Sequence, residues 1–387
     1  MNIGELFRLY GKTYRRNHKL APHIRKSMVM IEKCGTGELG RHQLECDECG
    51  IKYLQENSCR NRHCPVCQKE ISKDWAKARI KELLPVSYYH VIFTVPDSLN
   101  PIIQTNQKSM YDIFFKATAE TMMTLIADPK YVGGKGGMIS VLHTWGQNLM
   151  SHPHIHCLVP AGGLSEDETH FIEPKQDRYF IPVQVVSALF KKKFLALWVD
   201  AVESGRIKFI GNTSYLKEPK TFRKLKNELY KKGWVAHIRP PFSTGEVVIE
   251  YLSRYIKRVA ISNERIIAAD GENVSIKWKD YRDGKTKIMT LTLDEFIRRF
   301  LLHILPDRYV KVRYYGFLSN SQRKKKLVKC RKILRFRVKK QESSDNTMEE
   351  ENRSSKCICP ECRIFKRKFI KSPVLAKDIT GKARERP

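Results

Sequence analysis

Residues 138–163 read MISVLHTWGQNLMSHPHIHCLVPAGG and contain two apolar runs separated by a short polar stretch. The first run extends from Met138 to about Trp145, and the second extends from His154 to Gly163. Both runs have the composition of β-strands, and the short connection between them favours antiparallel pairing. The segment therefore predicts the centre of an antiparallel sheet.

Elements on either side of this strand pair predict the rest of the fold. Apolar spacing indicates helices near 106–127, 180–202 and 217–232, and a strand over 88–95. A later stretch, SIKWKDYRDGKTKIMTLTL, predicts a hairpin with its turn at 283–284. Strands and helices in this arrangement indicate an α+β fold, in which a central antiparallel sheet is flanked by helices.

The composition of the chain points to a polyanionic partner. Its 387 residues include 72 Lys and Arg against 41 Asp and Glu, which leaves a net charge of +31. Such an excess attracts nucleic acid and is larger than most enzymes of ordinary surface charge carry. The sequence has no run of about 18 apolar residues and no secretory signal at its start, so we expect no membrane partner. These features predict a cytoplasmic protein of bacterial type that associates with the nucleoid.

The eleven cysteines are expected to be metal ligands or buried thiols, because the cytosol keeps thiols reduced. Two C-x2-C pairs, separated by fourteen residues, have the spacing with which two tight turns present four thiolates to zinc. The predicted zinc ligands are Cys46, Cys49, Cys64 and Cys67. Four thiolates form a closed shell that leaves no position for water, so this zinc is predicted to be structural.

Other residues near these pairs leave the ligand set open. Cys34, Cys59 and His63 lie close enough in sequence to replace one ligand or to complete a second zinc site. Arg60 and Arg62 are also close, and a nucleic-acid-binding knuckle or a solvated surface would explain them equally well. The number of zinc ions, one or two, is therefore not decided by the spacing.

A histidine pair is the candidate for a second kind of metal site. His154 and His156 alternate along a strand, so their imidazoles share one face of the sheet while the intervening isoleucine points to the core. Two neighbouring imidazoles can bind a divalent cation, and a third ligand would leave coordination positions open. His143, Gln147 and His152 are the nearby candidates for that third ligand.

Tyr251 and Tyr255 form a second candidate constellation. They are four residues apart in a segment with helical spacing, so both hydroxyl groups project from one helical face. Arg254 and Lys257 lie on the same predicted helix, where they could hold a phosphate backbone. Half-buried packing tyrosines would have the same spacing, so this pattern needs support from elsewhere in the chain.

Several motifs, in one order, resemble the two-tyrosine HUH transposases of rolling-circle insertion sequences, the insertion sequence 91 type. They are VLHTWGQNLMSHPHIHCLVPAGGLS, EYLSRYIKRVAIS, FRKLK, WKDYRDGKTK, LDEFIRRFLLHILP and RYYGF. The stretch NSCRNRHCPVCQ is similar to the zinc-binding domain that this family carries ahead of its nuclease. Together these motifs cover about residues 15–335.

The resemblance implies an endonuclease that cuts and joins single-stranded DNA at the ends of the element and at its target. A divalent Mg²⁺ or Mn²⁺ ion would be held by His154 and His156, with Gln147 as the third ligand and His143 or His152 as alternatives. Tyr251 and Tyr255 would be nucleophiles that form a 5′-phosphotyrosine. Such a bond retains the energy of the phosphodiester, so no nucleotide cofactor is expected.

The same resemblance implies three parts of the chain. Residues 1–86 are expected to form a zinc-binding DNA-binding domain, and residues 87–335 the HUH two-tyrosine transposase domain. Residues 336–387 are expected, from their composition, to form a basic, flexible tail that carries the sequence Cys-Pro-Glu-Cys at 359–362. The alternative is a zinc-ribbon regulator that binds nucleic acid without catalysis, for which the charge and the cysteines alone would suffice.

Overall fold

The computed structural model describes residues 1–46, 49–175, 181–242, 259–280, 282–335 and 367–374. The helices, numbered in chain order, are α1 (Ile3–Asn17), α2 (Pro22–Glu32), α3 (Pro65–Ile80), α4 (Asn100–Thr105), α5 (Gln107–Ala127), α6 (Val183–Glu203), α7 (Pro219–Lys231), α8 (Leu293–Leu301) and α9 (Arg323–Ile333). The strands are β1 (Arg41–Cys46), β2 (Lys52–Glu56), β3 (Tyr88–Thr94), β4 (Gly137–Trp145), β5 (Ser151–Pro160), β6 (Gly163–Leu164), β7 (Phe171–Ile172), β8 (Ala236–Phe242), β9 (Ile266–Ala269), β10 (Asn273–Lys279), β11 (Thr286–Thr292), β12 (Val312–Gly316) and β13 (Arg367–Val374). Among the described helices, none is long and apolar enough to cross a membrane.

A five-stranded sheet in the order β12-β4-β5-β3-β8 forms the centre of the molecule, and every neighbouring pair in it is antiparallel. The quoted segment supplies two adjacent strands, β4 and β5, and its polar stretch forms their hairpin turn. The α+β prediction with a central antiparallel sheet flanked by helices is therefore confirmed. The hairpin predicted around 283–284 is also confirmed, as β10 and β11.

One face of the central sheet packs against α5 and α6. Alternate residues of β5, Ile155, Cys157 and Val159, point to this face and are fully buried in the largest core. Phe93 of β3 packs on Phe190 of α6 with ring centroids 4.9 Å apart. Each such side chain contributes about 1.5–3 kcal/mol through burial, which makes this layer the rigid support for the strands.

The opposite face of the sheet packs against α3 and α9. Ile139, Val141 and Leu158 pack there with Leu327 of α9 and Ala76 of α3. Strand alternation then places the next residues of β4 and β5 on this same face, beyond the apolar cluster. The histidine pair occupies that position, at the end of the sheet where β5 begins.

The first helices pack against a separate, smaller sheet. Asn2 begins α1 with a capping box, in which its side chain accepts the Glu5 N–H at 3.0 Å and the Glu5 carboxylate accepts the Asn2 N–H at 2.9 Å. Phe7 of α1 meets Phe300 of α8 edge to face, with centroids 5.5 Å apart. This core also includes strands of the β9-β10-β11 sheet, so α1 shares its core with residues beyond 260. The division of the chain at residue 86 stays a prediction.

The C-terminal tail contributes a strand that the sequence pattern did not predict. Strand β13 pairs antiparallel with β1 and completes a three-stranded sheet in the order β13-β1-β2. Cys46 at the end of β1 is opposite Arg367 at the start of β13. The N-terminal hairpin and a segment from the tail therefore belong to one sheet.

Candidate active site and zinc cluster

Three histidines meet on the face of the central sheet that lies opposite α5 and α6. His143 of β4 lies directly opposite His154 of β5, and His156 is the next residue of β5 on that face. Their ligand nitrogens all lie within 4.8 Å of one another. His143 and His156 are buried, whereas His154 is half-buried. The geometry brings together the predicted pair and one of the open candidates for the third ligand.

Hydrogen bonding sets the orientation of His154. Its Nδ1 lies 2.7 Å from the carbonyl oxygen of His152. A carbonyl oxygen can only accept a hydrogen bond, so Nδ1 carries the proton and donates. The lone pair is then on Nε2, which is the nitrogen available to a metal ion. Burial lowers the pKa of His154 to about 4, so the ring is neutral near pH 7, as a metal ligand must be.

His90, which was not singled out in the sequence, supports His156 from the neighbouring strand β3. Its Nε2 lies 2.8 Å from Nδ1 of His156, and the two rings stack with centroids 5.0 Å apart. Burial, together with the positive charge of Arg239 and the nearby His237, lowers the pKa of His90 to about 3. The only signal in the sequence was one histidine in the otherwise apolar and aromatic run YYHVIFTV at 88–95. Its partner is 66 residues away, so the contact depends on strand register.

The other two candidates for the third ligand have different environments. Gln147 is in the turn between β4 and β5, and its backbone carbonyl accepts a hydrogen bond from Arg265. His152 is exposed, and its Nδ1 is 3.9 Å from a carboxylate oxygen of Asp97. Of the two histidines, His143 belongs to the cluster and His152 lies outside it.

The predicted nucleophiles and their basic neighbours belong to the part of the chain that follows β8. Tyr251, Arg254, Tyr255 and Lys257 lie outside the described residues. The chain enters that part of the sequence from β8, which is the sheet neighbour of β3. His237 and Arg239 on β8 are exposed, and Arg239 pairs in register with His90. Arg239 therefore adds positive charge beside the histidines.

A second cluster contains four cysteines, and its geometry fits zinc. The sulfurs of Cys34, Cys59, Cys64 and Cys67 lie within 4.8 Å of one another. The separation is 3.6 Å for Cys34 and Cys67, 3.6 Å for Cys59 and Cys67, and 3.8 Å for Cys34 and Cys64. Four thiolates at about 2.3 Å from a tetrahedral zinc ion lie about 3.8 Å apart. The four side chains are therefore already arranged as a zinc shell.

Local backbone contacts orient these thiols. The N–H of Cys59 donates to the sulfur of Cys34 at 3.4 Å, and the N–H of Asn61 donates to the sulfur of Cys59 at 3.4 Å. Hydrogen bonds from the neighbouring thiols, Cys59 first, hold the pKa of Cys34 well below its usual range. Such N–H to sulfur contacts stabilise thiolates around a structural metal ion.

The observed cysteine cluster differs from the predicted ligand set. Cys64 and Cys67 belong to it, but their partners are Cys34 and Cys59 rather than Cys46 and Cys49. The reason is the length of the β1–β2 hairpin. Its base lies beside the cluster, since the N–H of Gly35 donates to the carbonyl of Asn57, whereas Cys46 is at the far end of β1. At about 3.4 Å per residue, β1 carries Cys46 about 17 Å from that base.

The remaining predicted residues around the zinc cluster have different environments. The Nε2 of His63 accepts the N–H of Leu305 at 3.2 Å, so this histidine has a structural contact outside the cysteine cluster. The Arg62 guanidinium donates to the carbonyls of Pro306 and Tyr309. These hydrogen bonds connect the region of the cysteine cluster to the loop before β12. Arg60, in contrast, is exposed.

Comparison with known proteins gives a consistent assignment. Residues 137–326 match the family model described as "Putative transposase", and residues 6–95 match the one described as "Transposase zinc-binding domain". "Putative transposase y4qJ" of Sinorhizobium fredii (strain NBRC 101917 / NGR234) is 45% identical over 338 residues, which cover 87% of this chain and 85% of the relative. "Transposase for insertion sequence element IS801" of Pseudomonas savastanoi pv. phaseolicola is 26% identical over 306 residues, or 76% of this chain and 70% of that protein. No solved structure matches the chain. With motifs, zinc-binding domain and relatives in agreement, the chain belongs to the insertion sequence 91 family of transposases.

Proposed function

We propose that this transposase cuts and rejoins single-stranded DNA through a covalent tyrosine intermediate, at a divalent cation held by His143, His154 and His156. The observation that carries the proposal is the meeting of three imidazoles on one face of the sheet. As a member of a transposase family, the chain is an enzyme and its partner is DNA. The single-stranded substrate is inferred because a tyrosine cannot easily approach a phosphate in line within a stacked duplex.

The histidines suit a particular kind of ion. Imidazole favours transition metals over Mg²⁺, so Mn²⁺ should bind more tightly even if Mg²⁺ serves in the cell. A bound ion would polarise the scissile phosphate and stabilise the charge that develops on its oxygens. His143 takes the third place for which the sequence favoured Gln147, because it is the residue that lies directly across from His154.

Tyr251 and Tyr255 are the proposed nucleophiles. The phenolic oxygen of one of them attacks phosphorus, the bond between phosphorus and the 3′ oxygen breaks, and the 5′ phosphate becomes attached to tyrosine. The phenol loses one proton and the departing 3′ hydroxyl gains one, so the transfer is balanced. A free tyrosine has a pKa of about 10 and is a weak nucleophile, which explains the need for a cation beside the phosphate.

Positive side chains beside the histidines would hold the DNA backbone. Arg239 is exposed on β8 and close enough to His90 for its charge to affect that imidazole. We include Arg239 as a phosphate contact, together with Arg254 and Lys257 from the proposed tyrosine segment. Arg60 is the proposed contact near the zinc cluster. Such contacts position the strand without reading its sequence.

The test is an assay for covalent adducts on a labelled single-stranded oligonucleotide that carries the end of the element, in the presence of Mn²⁺. The wild-type chain should form an adduct that survives denaturation, and His154→Ala should abolish it. His170→Ala is the matched control, because His170 is exposed and remote from the cluster in the β6–β7 turn. An adduct of wild-type yield with His154→Ala would contradict the proposed metal site.

Substitution to phenylalanine separates the roles of the two tyrosines, because it removes the hydroxyl group and keeps the ring. Loss of the adduct in Tyr251→Phe alone would indicate one nucleophile, whereas adducts at the remaining tyrosine in each single variant would indicate two. An adduct in the double variant would refute both assignments. Binding of the oligonucleotide by the wild-type chain without any adduct would favour the zinc-ribbon regulator.

A further inference from the structure

The Cys46–Cys49 pair, which is left outside the zinc cluster, lies in a turn built like a metal-binding knuckle. The N–H of Cys46 donates to the carbonyl of Ile51 at 2.9 Å, and the N–H of Gly50 donates to the carbonyl of Cys46 at 2.9 Å. These two bonds close the end of the β1–β2 hairpin around the C-x2-C sequence. Cys46 is 1% exposed, whereas Cys49 is exposed.

Strand β13 brings another part of the chain to this same turn. It runs antiparallel to β1, and its first residue, Arg367, is paired with Cys46, the last residue of β1. In an antiparallel pair the end of one strand adjoins the start of the other. The chain that leads into Arg367 therefore arrives at the end of the sheet where the Cys46–Cys49 turn lies.

A second C-x2-C pair immediately precedes β13 in the sequence. Cys359-Pro-Glu-Cys362 is separated from Arg367 by the four residues 363–366. Cys359 and Cys362 lie outside the described residues, so the argument uses their position in the chain. The five Cα-to-Cα steps from Arg367 to Cys362 span at most about 18 Å, so the connection is short enough for this pair to reach the Cys46–Cys49 turn.

We propose that Cys46 and Cys49 bind a second structural zinc ion together with Cys359 and Cys362. Two C-x2-C pairs, one in the turn of a hairpin and one just before a third antiparallel strand, supply four thiolates from two turns. Zinc prefers such a closed thiolate shell and tetrahedral geometry. The site would make the tail segment a permanent strand of the N-terminal module, and it does not depend on the nuclease chemistry proposed above.

Zinc content of the purified full-length chain tests the proposal. The wild-type chain should hold two zinc ions, one in each cysteine set. Cys46→Ser with Cys49→Ser should leave one zinc ion, Cys359→Ser with Cys362→Ser should also leave one, and all four substitutions together should still leave one. Cys357→Ser is the matched control and should retain two, because Cys357 is outside both C-x2-C pairs. One zinc ion in the wild type, or two in either paired variant, would overturn the proposal.

Alkylation of the native wild-type chain gives a test that needs no variant to fold. Cys49 is exposed, and a bound metal ion should protect it from N-ethylmaleimide. We expect Cys49, Cys359 and Cys362 to resist alkylation in the zinc-loaded chain and to react together when a chelator is added, as mass spectrometry of the peptides can measure. Rapid alkylation of Cys49 in a chain that holds two zinc ions would contradict the assignment.

Discussion

At the scale of single residues, His90 determines how well the histidine cluster can be oriented. Its Nε2 lies 2.8 Å from Nδ1 of His156 and so holds the His156 ring in position. The other ring nitrogen of His156 is then directed toward His143 and His154. Loss of such an outer contact commonly lowers metal affinity by about 10–100-fold. We therefore expect His90→Ala to weaken Mn²⁺ binding by about that factor.

A conservative variant separates orientation from simple packing. His90→Gln keeps a polar group near Nδ1 of His156 and should recover part of the Mn²⁺ affinity, whereas His90→Leu fills the space without a hydrogen bond and should not. Titration of Mn²⁺ followed by electron paramagnetic resonance measures the affinity directly. Equal affinity in the Gln and Leu variants would mean that His90 acts only by filling volume.

Two glycines with similar backbone angles give a second prediction at this scale. Gly316 at the end of β12 has φ +60, and a Cβ there would lie 1.9 Å from the carbonyl oxygen of Gly136. Gly284 in the β10–β11 turn has φ +70, with nothing within 4 Å of an added Cβ. Gly284→Ala should cost about 1–2 kcal/mol of unfolding free energy, and Gly316→Ala about 2–5 kcal/mol. Urea unfolding measures both, and equal losses would show that β12 can shift away from β4.

At the scale of elements, the β4–β5 turn depends on a buried histidine that follows α8. The Nε2–H of His303 donates to the carbonyl of Leu149 at 3.0 Å, and its Nδ1 accepts from the Thr144 hydroxyl at 3.1 Å. Burial lowers the pKa of His303 to about 4. The ring therefore stays neutral in the folded chain at pH values where the unfolded chain, with a pKa of about 6.5, becomes protonated.

The consequence is a loss of stability on acidification. Between about pH 6.5 and pH 4 the unfolded state binds the extra proton, so the contribution of His303 is full above pH 6.5 and falls as the pH decreases. From pH 7 to pH 5 this one residue should account for about 2 kcal/mol of the unfolding free energy. Asparagine does not titrate in this range. Between pH 7 and pH 5, the unfolding free energy of His303→Asn, measured in urea, should therefore fall by about 2 kcal/mol less than that of the wild type. An identical pH dependence in both proteins would contradict this role.

The same elements indicate what local sequence patterns can and cannot predict. Alternation along β5 placed His154 and His156 on one face because side-chain direction in a strand depends only on position in the strand. His90, Cys34 with Cys59, and the pairing of β13 with β1 required contacts between distant segments, which periodicity does not encode. The predicted zinc set joined the C-x2-C pairs nearest in sequence, but a rigid hairpin separates them in space.

At the scale of the whole molecule, the zinc cluster and the histidine cluster share a core. Cys64 and Cys67 are buried in the same apolar cluster as Leu149, the residue of the β4–β5 turn whose carbonyl binds His303. Arg62, beside the zinc cluster, also donates to carbonyls in the 306–309 segment that leads to β12. A structural change in the zinc cluster can therefore affect, through these packing contacts, the hairpin that carries His143 and His154.

Coupling between the two clusters can be measured by removing one zinc ligand. Cys59→Ser opens the zinc shell but leaves the α5 and α6 layer intact, so Mn²⁺ affinity should fall by about 2- to 30-fold, the range expected for a coupling of about 0.5–2 kcal/mol. Cys49→Ser is the control, because Cys49 lies at the far end of the β1–β2 hairpin and should leave Mn²⁺ affinity unchanged. Hydrogen exchange of α5 must stay slow in both variants, which shows that the central sheet is folded. Wild-type Mn²⁺ affinity in a zinc-depleted Cys59→Ser chain would mean that His303 and the turn contacts alone hold the histidines, and that the zinc cluster serves only the N-terminal module.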